Sequence, residues 1–313
     1  MAGLIVELII SWLLLWIVCK KSLLVLGIVP TQSRLLNLFF GILIAAVCCT
    51  VYYLSFTFFT TNNWILNSKF AGQKFITSSW WTLNSVLYEE LIFRGALLYI
   101  LIKKLGVRTA CITSAICFGV YHWFTSGALG NPLQMTIVFI MTGIWGFMFA
   151  VAFAKTKSLY LPIGLHFGWN FISTVIFSQG SLGNQVLIIS GGEKMGVALS
   201  AVVFIFQIFA VPVVTYWYLR FLSKKKKSLL ALKQQPQRQS RKWNPGRTNS
   251  TIKTSCNVGV IGVYGSTIVH FAGGCASVVS GRIRFCYSWR RIVFINFMTR
   301  ISCILFHLKR FMW

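Results

Sequence analysis

The chain has 313 residues, of which 56% are hydrophobic and only 11% charged, and its mean hydropathy is +0.72. Soluble globular domains carry about 25% charged residues, so an ordinary soluble enzyme and a wholly disordered chain are both excluded. The charge is one-sided: 30 Lys and Arg face four acids, Glu7, Glu89, Glu90 and Glu193, two of them adjacent within an apolar stretch.

Seven stretches are long and apolar enough to cross a bilayer, which takes about 20 residues. They lie at about 3–19, 35–59, 77–102, 107–124, 133–154, 159–179 and 196–222. The expected fold class is therefore all-α, a polytopic transmembrane bundle over 1–222. The first stretch lacks a basic leading segment and is followed by Lys20 and Lys21 without a small-residue cleavage site, so it reads as a retained span. Alternate loops differ in cations. Lys20, Lys21, Arg34, Lys103, Lys104, Arg108, Lys155 and Lys157 fall on one side and Lys69, Lys74 and Lys194 on the other. By the positive-inside rule this puts the N-terminus outside and the C-terminus in the cytoplasm of a cell-membrane protein.

From residue 223 the character changes. Residues 223–313 hold 17 of the 30 cations and no acid, and read as a basic, poorly ordered tail. Attraction to anionic lipid is one reading of that charge. The favoured one is that only Lys224–Lys227 matter, as a topology anchor, the rest being an appended extension without a selected role. Since no nucleic-acid recognition motif accompanies the charge, a nucleic-acid partner is not expected. The nine cysteines contain no CxxC pair; those within spans read as small hydrophobes.

Chemistry concentrates in the third span, WWTLNSVLYEELIFRGALLYILIKK. Each charge there costs roughly 2.5–3.5 kcal/mol near the bilayer centre. Glu90 and Arg94 are four apart and share a helical face, in the acid-before-cation order that favours pairing. Glu89 is turned about 100° away, and position 93, four residues on, is Phe. Arg94 is thus expected to neutralise Glu90, leaving Glu89 to accept a proton. Two of the four histidines also lie in spans: His122 in CFGVYHW, one turn after Phe118, and His166 in PIGLHFGWN, one turn before Asn170. Gly164 and Gly168 sit near the face opposite His166, where a small-xxx-small pair admits a neighbouring helix.

Glu89–Arg94 (EELIFR) matches EExxxR, Phe118–His122 (FGVYH) matches FxxxH, and His166–Asn170 (HFGWN) matches HxxxN, in that order. This set resembles the CPBP (Abi) family, which includes type II CAAX prenyl proteases and bacteriocin-processing and self-immunity proteins, over about 75–180. The resemblance implies an intramembrane endopeptidase acting on a peptide or lipidated protein. Carried over to this chain, Glu89 activates water with help from His122, His166 and Asn170 stabilise the oxyanion, and Glu90, Arg94 and Phe118 support the site. A metal is not favoured. Zinc is the alternative, with Glu89, His122 and His166 the available ligands. Two rival readings are a non-catalytic immunity or scaffold protein of the same family and, ranked last for want of an inverted repeat, a transporter. Span boundaries place His122 and His166 about 10 Å apart in depth, at odds with a common site.

Overall fold

The computed structural model describes residues 2–234 apart from 181, 192 and 193. Of the basic tail expected from 223 only 223–234 are described, and these are helical rather than poorly ordered, while the rest lies outside the described residues. Residues 1–223 fall within one compact unit. The helices are α1 (Ala2–Cys19), α2 (Gln32–Phe59), α3 (Gly72–Arg94), α4 (Ala96–Leu105), α5 (Val107–Thr125), α6 (Pro132–Thr156), α7 (Tyr160–Asn170) and α8 (Val197–Gln234). Among the described residues, three segments are long and apolar enough to cross a membrane, Gln32–Phe59, Pro132–Thr156 and Val197–Ser228, and α1 contains a shorter apolar one, Gly3–Cys19. With the outward distribution of apolar side chains, they mark an integral membrane protein. Ile5, Trp12, Trp16, Leu36, Phe39 and Phe209 are exposed, while Ser78, Thr82, Asn84, Ser85, Glu89, Glu90 and Arg94 line the buried part of α3. Lipid tolerates that inversion because it wets apolar side chains and leaves polar ones only the protein interior.

Two features depart from the expected all-α bundle of seven continuous spans. Asn63–Leu66 (β1) and Leu187–Ser190 (β2) pair antiparallel, with Asn63 opposite Ser190 and Leu66 opposite Leu187. β1 follows α2 and β2 precedes α8 in the chain, and unpaired backbone in such connecting segments is satisfied by strand pairing. The second departure is that the stretch at 77–102 is not one helix. It breaks at Gly95, whose backbone (φ −77°, ψ −132°) leaves helical geometry. A Cβ at this position would run into the Leu91 carbonyl oxygen, so only glycine fits directly after Arg94. The expected span at 159–179 is likewise divided, α7 ending at Asn170 and giving way to a π-helical segment, Phe171–Ile176.

α2 and α7 form the tightest helix pair. A Cβ added to Gly164 would collide with the Leu38 carbonyl oxygen, one on Gly168 would come within 2.6 Å of the Ile42 carbonyl oxygen, and one on Gly41 within 2.9 Å of the Leu165 nitrogen. Small residues let membrane helices approach until their backbones touch. The face of α7 opposite His166 is therefore packed against α2, as the glycine spacing leads one to expect.

Candidate active site

The site is built around α3. Glu90 and Arg94 are fully buried, and Arg94 Nη1 donates to Glu90 Oε1 at 3.0 Å. The Arg94 guanidinium is held further by a hydrogen bond from Nη2 to the Gly146 carbonyl of α6 at 3.3 Å. Aromatic faces complete its surroundings, with the guanidinium carbon 4.1 Å from the Phe118 ring centre and 4.9 Å from that of Phe149. A cation excluded from water gains from ring faces at such distances. Phe118 covers Arg94 and also packs against His122, with ring centres 4.4 Å apart.

Glu90 has a second partner on another helix. His166 Nδ1, from α7, lies 2.8 Å from the same Oε1. An ionised carboxylate can only accept, so Nδ1 carries the proton and Nε2 is left to face the other way. His122 is oriented by the same logic, its Nδ1 donating to the Phe118 carbonyl at 2.8 Å. Both Nε2 atoms converge on Glu89: Oε2 is 3.9 Å from His122 and 3.8 Å from His166. The 10 Å offset in depth expected from span boundaries is absent. The expected span at 107–124 matches α5 to within one residue, so the misjudged boundary is that of 159–179, whose α-helix ends at Asn170 and leaves His166 midway along the short α7.

Separations of 3.8–3.9 Å are too long for direct hydrogen bonds. They suit a water held between carboxylate and imidazoles, since a bridging oxygen sits about 2.8 Å from each partner. Zinc would also find suitable donor types, with each histidine anchored through Nδ1 as metal-bound histidines are. Tetrahedral zinc, however, brings neighbouring N and O ligand atoms to about 3.4 Å. Among the described residues no group of three or more His, Cys, Asp or Glu is arranged to hold an ion. The separations to Glu89 exceed that spacing by about 0.4–0.5 Å, so a shared ion would need the side chains to draw inward.

His122, His166 and Asn170 line a common open cavity of about 160 Å³, together with Phe149, Thr142 and Gln207. Glu89 stands behind the two imidazoles, its side chain 11% exposed. The Phe149 ring stacks on His166 with centres 5.0 Å apart and planes inclined by 22°, which fixes the imidazole plane that the Glu90 hydrogen bond alone would leave to rotate. Asn170 is the last α-helical residue before the π-helical segment, a type of irregularity often found at functional sites. All seven residues singled out from the sequence come together here. Phe149 and Gln207 join them without a sequence signal of their own, because an aromatic ring in an apolar span and a lone amide outside any motif are locally unremarked.

Residues 71–172 match the family model described as type II CAAX prenyl endopeptidase Rce1-like. The matched stretch is similar to that CAAX-protease family, covers about a third of the chain and includes every one of the seven residues. No curated protein and no solved structure matches the chain.

Proposed function

We propose that the chain is an intramembrane endopeptidase that hydrolyses a peptide bond near the bilayer through a glutamate-activated water. The observation carrying this reading is the convergence of two imidazole Nε2 atoms on Glu89 Oε2 beside an open cavity that also holds Asn170. Water entering that cavity comes between Glu89 and His122, both of which are oriented to accept its proton. The oxygen then attacks the scissile carbonyl. Asn170, through its amide N–H, and His166, through Nε2–H in its imidazolium form, donate to the resulting oxyanion. The Glu90 carboxylate supports that doubly protonated His166, and Arg94 offsets the carboxylate's own burial. The proton taken up by Glu89 passes to the departing amine, completing the hydrolysis. No step requires a metal.

The family description favours a substrate ending in a prenylated CAAX sequence, met at the surface of the membrane. The cation distribution supports an N-terminus outside and a C-terminus in the cytoplasm, with seven crossings in all and residues 223–313 serving as a basic tail beside anionic lipid. The rival reading is a non-catalytic scaffold in which the polar cluster only joins helices. Purified protein in lipid nanodiscs, incubated with a farnesylated CAAX peptide, separates the two. Cleavage is expected from the wild-type chain and is lost in Glu89→Gln. Equal product from both proteins, or from neither, would favour the scaffold.

A further inference from the structure

α8 lies beyond the stretch that matches the family model, yet it contributes a polar side chain to the cavity. Val203, Val211, Thr215 and Leu219 are buried, whereas Val202, Phe206, Phe209, Val213 and Trp217 are exposed. The inward face thus recurs every four residues from 203, and Gln207 falls on it one turn from both Val203 and Val211. A primary amide in an apolar membrane helix is costly unless its N–H and C=O groups find partners. Gln207 makes no side-chain hydrogen bond among the described residues and is only partly buried, because the stripe opens there onto the cavity shared by His122, His166 and Asn170. The groups that can satisfy it are those entering the cavity.

We infer that Gln207 binds the backbone of the substrate peptide, donating through its NH₂ and accepting through its carbonyl beside the scissile bond, across from α7. It is a substrate-positioning residue. This rests on the endopeptidase reading for the identity of the ligand, but it adds a binding wall from outside the family core. The chemistry is that of one extended peptide strand offering a C=O and an N–H. A single amide reading them would be selective for a polypeptide over a free lipid.

The test uses full-length protein in nanodiscs and a fluorescein-labelled peptide ending in a farnesylated Cys-aliphatic-aliphatic-X sequence. Peptide affinity is measured in the Glu89→Gln background, with and without Gln207→Leu, an apolar replacement of similar length that a membrane helix accommodates. Loss of a neutral hydrogen-bonding group predicts about tenfold weaker binding, with Gln207→Asn between the two. In the otherwise wild-type protein, Gln207→Leu is expected to raise KM by a similar factor while kcat changes little. A merely structural role would lower both, and Asn would not rescue it. Unchanged affinity in Gln207→Leu, or an absence of peptide binding even with Gln207 intact, overturns the inference. Weakened binding in a protein that cleaves nothing leaves the Gln207 contact standing and removes the hydrolytic reading instead.

Discussion

His166 and Glu90, 76 residues apart in the chain, are joined by a 2.8 Å contact from Nδ1 to Oε1, the same oxygen that receives Arg94 at 3.0 Å. The two adjacent glutamates are thereby separated in role. Glu90 is committed to a cation on its own helix and to an imidazole on another, whereas Glu89 lies near the Nε2 atoms of both imidazoles.

Glu90→Gln and Glu89→Gln are therefore expected to fail differently. Glu89→Gln removes the proposed proton acceptor and is expected to lower kcat by about 10²–10⁴, with thermal stability nearly unchanged. Glu90→Gln leaves Arg94 charged inside the bundle and lowers stability as well as kcat. Turnover and thermal unfolding measured on the same preparations distinguish the two.

Arg94→Met leaves Glu90 as an uncompensated buried charge. A loss of about 3–5 kcal/mol is expected, read as a lower unfolding temperature in detergent. The double variant Glu90→Gln/Arg94→Met, with no buried charge left to offset, is expected to lose less than the sum of the two single changes.

Asn170→Ala removes the proposed oxyanion donor and leaves the rest of the site in place. The expected fall in kcat is about 10²–10³, with KM little altered. A substantial rise in KM at constant kcat would argue that the amide binds the ground state rather than the intermediate.

Gly164→Val introduces a branched side chain where the Leu38 carbonyl of α2 already touches α7. Separation of α2 from α7 would shift His166 and Asn170 together. Activity is expected to fall although no polar group has changed, and Gly106→Ala, at a position with open space around its Cβ, serves as a check on generic effects of substitution. Its own cost is confined to the positive φ of 80° at that turn.

A chelator is expected to leave peptide cleavage intact, since the carboxylate and imidazoles stand farther apart than a shared tetrahedral ion requires. Inactivation reversed by added zinc would overturn the water-based mechanism.

What could be read from the sequence was local. Glu90–Arg94, Phe118–His122 and His166–Asn170 are each one helical turn apart, and a turn has the same geometry in any context. The glycines of α7 were legible for the same reason. The partnership of His166 with Glu90 was not, because it depends on how two separate helices are set against each other. The break at Gly95 was hidden because an apolar helical pattern resumes directly after it, and a lone glycine within such a pattern is ordinarily tolerated. Phe149 could not be told from outward-facing rings such as Phe147, since the lipid and the protein core are both apolar and a membrane span carries little amphipathic period to separate them. The strand pair β1–β2 was missed because four residues are too few for an alternating pattern to emerge.

With backbone resting on backbone at Gly41, Gly164 and Gly168, the wall that carries the histidine and the asparagine has no side-chain layer through which it could slide or yield. On the endopeptidase reading, a polypeptide approaching from the membrane is admitted by the opposite flank, where Thr142 of α6 and Gln207 of α8 border the hollow. The molecule is in that sense one-handed: a fixed jaw bears the reactive groups, and whatever accommodation a bulky chain demands falls on the other.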